Sequence, residues 1–250
     1  MNQIVHPTAR LGKGVELGYF VVIEEGVVLG DNVTVGHHAI LHAHAVIGEG
    51  TWIADHAVIG RWPRPAKTST VRVDPDLPAF SIGEGSTIGA NAVLYRGSQL
   101  GREVLVGDQA FIRERCLIGD RVVIGRGVAV ENQVEIGSDT KIQTDAYITA
   151  YSRLEDHVFI APGVMTTNDN FMGRTEERFL HTRGPVVRRG ARVGGGAVLL
   201  PGITVASESF IAAGAVVNRD TEEATVYAGV PAKPIRPVPA RERLSPPNDC

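Results

Sequence analysis

Three groups of side chains in this 250-residue chain have types and spacing that suit chemistry. Glu114 stands between Arg113 and Arg115 in the run Ile112–Gly119 (IRERCLIG). A carboxylate in that setting can hold a cation or accept a proton, or it can simply be an exposed corner residue paired with one of its arginines. Asn168 and Asp169, in TTNDN, set a carboxamide beside a carboxylate. The same pair is common in Asx turns where a loop leaves a regular element. Histidines cluster early, at His37, His38, His42, His44 and His56, with His157 and His181 further on. Histidine titrates near neutrality and suits general base catalysis. On that ground His157 and His181 are each a candidate base or else a surface histidine, while the early histidines read as exposed corner residues.

The elements that would position these groups follow a six-residue beat. From Val5 every sixth residue is aliphatic (Leu11, Leu17, Ile23, Leu29 and onward to Ile59), and the beat returns from Ile82 to Ile160 and from Val187 to Val217. Gly often follows the aliphatic, as at Gly12, Gly18, Gly30 and Gly36, and a small or β-branched residue stands four places on, as at Val21, Val27, Ala39 and Thr51. Neither a helix period of 3.6 nor a strand period of 2 gives this pattern; repetition over so many units means a solenoid. Each aliphatic should point into a triangular prism of about ten coils, three hexads to the coil, with Gly or Asn at the corners taking positive φ.

Two stretches break the beat. Residues 61–80 (RWPRPAKTSTVRVDPDLPAF) hold four prolines and the basic residues Arg61, Arg64, Lys67 and Arg72. Residues 166–186 (TTNDNFMGRTEERFLHTRGPV) form the second break. Loops this long in a compact fold are usually functional, though the first could be only a solvated tether. Stacked positions lie 18 residues apart, so Arg96, Glu114, Asn132 and Ala150 share one corner column, and Asn168 is its next member. Counting back across the first break brings Arg61 into the same column. Both excursions should therefore leave from one edge, with Glu114 three rungs of about 4.8 Å, or roughly 14 Å, from Asn168. That edge is expected to carry the function. The predicted layout is an all-β solenoid over 1–220, with loops at 61–81 and 166–186 and an extension over 221–250 containing a short helix.

Composition narrows the classes. The net charge of -3 gives no reason to expect nucleic acid or a membrane surface as partner. Aromatic residues are 6%, in keeping with a narrow core of Val, Ile and Leu. Cys116 falls on a small inward position and Cys250 ends a Pro-rich tail, so no disulfide is expected and a reduced cytoplasm fits. The opening residues lack the regions of a signal peptide, and no apolar run reaches the roughly 20 residues that span a bilayer.

The beat resembles the hexapeptide-repeat family of left-handed parallel β-helices, and the resemblance covers nearly the whole chain. That family holds acyltransferases, γ-class carbonic anhydrases and non-catalytic scaffolds, so it implies the fold more sharply than the function. The run GGGAVLLPGITV, with IAAGAVV and GVPAKPIR, resembles the end of its acyltransferases. The resemblance implies a pantetheine arm along Gly195, Ala213 and Gly214, with Lys233 and Arg236 near the nucleotide of an acyl-CoA, most simply acetyl-CoA.

LEDHVFIAPGVMTTNDN resembles a segment of N-acetyltransferases that modify nucleotide-linked amino sugars. It implies Asn168 and Asp169 near the reacting amine, Asn168 as a donor and Asp169 binding or deprotonating an ammonium. IGANAVLYRGSQLG and VGDQAFIRERCLIGD resemble the middle coils of UDP-N-acetylglucosamine O-acyltransferase, which takes its acyl group from acyl carrier protein. That family places a catalytic histidine where this chain has Glu114. A carboxylate is a poor base for an alcohol but a reasonable partner for a sugar ammonium, which tilts the expectation from O- to N-acyl transfer. VGHHAILHAHAVIG resembles the zinc segment of γ-class carbonic anhydrases, with His37 and His42 at the ligand spacing. The third ligand is missing, since position 1 is Met, and no metal is expected.

Together these features point to an acyl-CoA-dependent N-acyltransferase acting on a nucleotide-linked amino sugar. Arg61, Arg64, Arg96 and Asn132 are its candidate substrate-binding residues, and the resemblance implies a homotrimer with sites between neighbours. The alternatives are O-acyl transfer from acyl carrier protein and a γ-carbonic-anhydrase-like zinc protein.

Overall fold

The computed structural model describes residues 2–69 and 73–244 and is built from two-residue strands. In the strands of the prism the second residue is the aliphatic of the beat and points inward, with Thr166 in its place in Met165–Thr166. Ile59, Leu94, Ile112, Val130 and Ile148 are all fully buried. The residue four places on fills the corner beside them: Val21, Ala57, Cys116 and Val134 are fully buried as well. Burial pushes the Cys116 thiol up to about 12, so it is a packing group rather than a nucleophile.

The strands line up into three sheets of 11, 10 and 12 strands, parallel but for the last strand of the third, the sides of a left-handed triangular prism. The first sheet runs from Ile4–Val5 to Val216–Val217 and the second from Arg10–Leu11 to Thr204–Val205. The third starts at Glu16–Leu17. Partners sit 18 residues apart, as in Val22↔Ile40. The step widens to 35 at Val58↔Val93 and to 33 at Met165↔Val198, where the excursions are inserted. Both insertions fall on the edge between the first and second sheets.

Two expectations change in detail. Positive φ falls three residues after the inward aliphatic, on Gly or Asn as at Gly14, Gly26 and Asn32 but often also on residues with full side chains; of the glycines directly after an aliphatic, Gly60 at the first excursion takes it. Examples are His38 (58°), Arg115 (62°), Gln133 (57°) and Tyr151 (65°). A left-handed residue costs about 1–2 kcal/mol. Several of these N–H groups donate to the coil before, as from Gln133 N to Glu114 O at 3.1 Å and from His38 N to Tyr19 O at 2.9 Å. The glycine after the aliphatic answers a need for space instead. A Cβ on Gly18 would lie 2.8 Å from the Gly36 carbonyl carbon and the His37 nitrogen of the next coil.

The C-terminal extension is mainly β. Thr225–Ala228 adds to the third sheet beside Phe210–Ile211, and Lys233–Pro237 pairs antiparallel with it. Pro234, Pro237 and Pro239 deny a helix its N–H groups. The helix expected there is a single 3-10 turn, Ala240–Glu242. The one α-helix among the described residues, Arg178–His181, lies in the second excursion. No helix of the described residues is long and apolar enough to cross a membrane. The tail from 245, with Cys250, lies outside the described residues, as does Arg72.

Candidate active site

On the edge that carries both excursions lies an open cavity of about 980 Å³. Its floor is the 18-residue column and the positions next to it: Glu114 and Arg115, Asn132 and Gln133, Ala150 and Tyr151, Asn168 and Asp169. One wall is the first excursion, through Ser69, Val73, Asp74 and Leu77. The other is the second, through Glu176, Arg178, Phe179 and Thr182.

Glu114 is 8% exposed. Its two carboxylate oxygens accept from Arg113, from Nη2 at 2.8 Å and from Nε at 3.1 Å, and Arg113 Nη1 reaches Glu131 at 3.2 Å. Such a fork suits a planar guanidinium. Burial works against the charge on Arg113, but its hydrogen bonds and the charges of Glu114 and Glu131 prevail and raise its pKa.

The walls are fastened to the same edge. Arg115 pairs with Asp74 of the first excursion. Asp169 accepts from the amides of Phe171 at 2.8 Å and Gly173 at 2.9 Å, and from Arg178 at 3.2 Å. The Gly173 and Phe171 amides, then Arg178, hold its carboxyl below the usual range. With those acceptor positions taken, Asp169 acts as the anchor of its loop, which favours the Asx-turn reading over a base. Asn168 donates from Nδ2 to the Ala150 carbonyl at 3.4 Å, and its own carbonyl accepts from the Arg183 amide at 3.0 Å.

The other candidates are dispersed. Arg96 holds the first excursion down, donating to the Leu77 carbonyl at 2.9 Å and the Ala43 carbonyl at 2.8 Å while stacking on Trp62. Arg61 is exposed, its guanidinium over Tyr95 at 5.7 Å, and neither it nor Arg64 lines the cavity. His157 lies between the second and third sheets, on a different edge, beside Asp139 at 3.9 Å. The early histidines stack along the edge between the third and first sheets or pair locally. His38 and His56 are 4.9 Å apart and nearly parallel, and His42 meets Glu24 at 3.1 Å. Among the described residues no three His, Cys, Asp or Glu side chains converge as a metal site would require.

Gly195, Ala213 and Gly214 lie at the C-terminal end of the edge between the third and first sheets. The Gly214 amide donates to the Gly195 carbonyl at 2.9 Å. A Cβ added at Gly163, Gly196 or Gly214 would meet nothing within 4 Å, so the backbone there is bare and open to an extended arm. Lys233 and Arg236 are exposed on the last strand.

Gln133, Tyr151 and Arg178 were not singled out from sequence. The first two follow column members and were readable from the 18-residue count. Arg178 had no periodic signal to mark it.

Comparison with known proteins bears on the repeat and the fold. The model of the bacterial transferase hexapeptide (six repeats) matches residues 8–43, and that of the hexapeptide repeat of succinyl-transferase matches 80–107. The serine acetyltransferase of Buchnera aphidicola is 32% identical over 94 residues, 35% of this chain and 34% of that protein. A Saccharomyces cerevisiae protein named as an acetyltransferase is 36% identical over 89 residues, 34% of this chain and 45% of that one. The alignments thus span less than half the length of these curated relatives. Among solved structures, an Arabidopsis UDP-N-acetylglucosamine acyltransferase superposes with a TM-score of 0.57 at 20% identity, covering 95% of this chain and 73% of that one. The enzyme of that name from Campylobacter jejuni gives 0.52 at 16%, covering 98% and 77%. The fold and repeat define a hexapeptide-repeat left-handed β-helix. Within that class the chain resembles the acyltransferases.

Proposed function

We propose that this protein is an acyl-CoA-dependent N-acyltransferase acting on the amino group of a nucleotide-linked amino sugar. The observation that carries the reading is Glu114, a buried carboxylate lining a cavity walled by both excursions. It would bind the acceptor ammonium and take a proton from it, directly or through water. The neutral amine attacks the thioester carbonyl and forms the C–N bond. Backbone N–H groups or the Asn168 amide stabilise the oxyanion, and the C–S bond breaks to release coenzyme A thiol. Much of the rate would come from holding amine and thioester together. Asn132 and Gln133 offer carboxamides to sugar hydroxyls. Arg61 and Arg64, outside the cavity, are free to meet a diphosphate at its mouth.

The bare backbone at Gly195, Ala213 and Gly214 fits the pantetheine arm, with Lys233 and Arg236 toward the cofactor phosphates. That groove and the cavity lie on different edges, with the first sheet between them. Apart from the Tyr147 phenol and exposed Arg61 at one strand end, the outward residues of that sheet are apolar: Ile4, Val22, Ile40, Val58, Val93, Phe111, Ala129, Met165, Val198 and Val216. A largely apolar side favours burial between copies, which supports a homotrimer whose sites join the cavity of one copy to the groove of the next. A cytoplasmic enzyme with a small-molecule acceptor fits this reading.

The test is incubation with acetyl-CoA and a panel of UDP- and dTDP-linked amino sugars, following free thiol. Release that depends on one amino sugar and falls in Glu114→Gln supports the proposal. Absence of both turnover and acyl-CoA binding would sink it.

A further inference from the structure

We infer that Arg113 is a positioning residue, the clamp that aims the Glu114 carboxylate at an acceptor amine; the inference rests on the proposed reading of the cavity. Arg113 does not line the cavity, yet three of its nitrogens are committed behind it: Nη2 and Nε to the two oxygens of Glu114, and Nη1 to Glu131. The backbone on both rungs is fixed, with the Arg113 amide donating to Val130 O and the Glu131 amide to Ile148 O, each at 2.9 Å. Glu131 is held in turn against Tyr147, whose phenol is pushed up by burial and then by the Glu131 charge. The clamp therefore runs from Tyr147 through Glu131 and Arg113 to Glu114.

The fold has no need of this arrangement. The same corner column carries Arg96, Asn132, Ala150 and Asn168 on other coils, with the same strand pairing on either side. Taking a carboxylate and a guanidinium out of water is unfavourable unless the geometry is good. What the fork achieves is directional. Each carboxylate oxygen has about two acceptor sites. Arg113 fills one on each oxygen and leaves the remainder for a donor in the cavity. A cationic amine satisfies both the charge and the lone pairs, whereas a hydroxyl satisfies only one lone pair. Arg113 thereby sets the preference for amine over alcohol.

The experiment compares acceptor binding by calorimetry, and acyl transfer from acetyl-CoA, for UDP- and dTDP-linked amino sugars and their hydroxyl counterparts. It uses the wild-type protein, Arg113→Met, Arg113→Lys and Glu131→Gln. In Arg113→Met the amine-over-hydroxyl preference should fall about tenfold or more. KM for the amine should rise and KM for acetyl-CoA should hold. Arg113→Lys, with the charge but no fork, should restore only part of the preference. Glu131→Gln should show a smaller loss. A folded Arg113→Met protein with wild-type preference would overturn the inference. If that variant fails to fold, unchanged preference in both Arg113→Lys and Glu131→Gln overturns it equally. A wild-type protein without amine preference removes the proposed function itself, and the inference with it. Preference kept in the wild type and in every variant removes the inference alone.

Discussion

Charges at the residue scale are arranged in pairs around the cavity: Glu114 with Arg113, Asp74 with Arg115, Asp169 with Arg178. Two of the pairs fasten walls, and only the first presents a buried carboxylate. Glu114→Gln is expected to lower kcat/KM for the amine acceptor by about ten- to a hundredfold, as for loss of a charge-assisted hydrogen bond. Acyl-CoA affinity should be unchanged, and steady-state kinetics with both substrates varied would check this. Asp169 predicts a pH effect of definite sign. Its carboxyl is held low in the folded chain, so its contribution is complete above the ordinary value of about 3.9 and is lost as pH falls below that toward the depressed value. Hydrogen exchange at Phe171 and Gly173, corrected for intrinsic rates, should show protection at pH 5–7 that disappears in this acid range and is already weak in Asp169→Asn.

Among the elements, strands and excursions differ in how far the sequence reveals them. Each strand repeats the same inward aliphatic, so sheet membership and the 18-residue column were readable, and with them the grouping of Glu114, Asn132 and Asn168. The excursions obey no period. Their contacts join residues far apart in sequence, such as Asp74 with Arg115 and Arg96 with Leu77. Arg96 shares the column of Glu114, but its Nε is given to the Leu77 carbonyl of the first excursion and its Nη1 to the Ala43 carbonyl. The groove edge was legible only through resemblance, since bare glycine backbone leaves no pattern of its own. Arg96→Met should loosen the first excursion by about 1–3 kcal/mol, from lost hydrogen bonds to a charged donor. Limited trypsin digestion would read this as faster cleavage after Lys67, which is followed by Thr68, with the sheet regions still resistant.

For the whole molecule, the separation of cavity and groove is the decisive feature. One prism holds the candidate acceptor residues on one edge and the candidate donor groove on another, and a largely apolar side lies between them. If the proposed trimer forms through that side, Val93→Glu, which places a charge in its middle, should give monomers in sedimentation where the wild type gives trimers. The same arrangement predicts complementation. Alone, Glu114→Gln should keep only the residual activity given above and Ala213→Trp should be inactive. Co-assembled in equal amounts, they should recover about a quarter of wild-type activity if each site draws on two copies of a closed ring.

The central claim is that the Glu114 edge delivers an amine to a thioester. Its most direct test is free thiol release from acetyl-CoA by the wild-type protein, run side by side with an amino-sugar nucleotide and the same nucleotide sugar bearing a hydroxyl at that carbon. The account predicts release with the amine and little or none with the hydroxyl. Equal or faster release with the hydroxyl would contradict it and assign the cavity to O-acyl transfer.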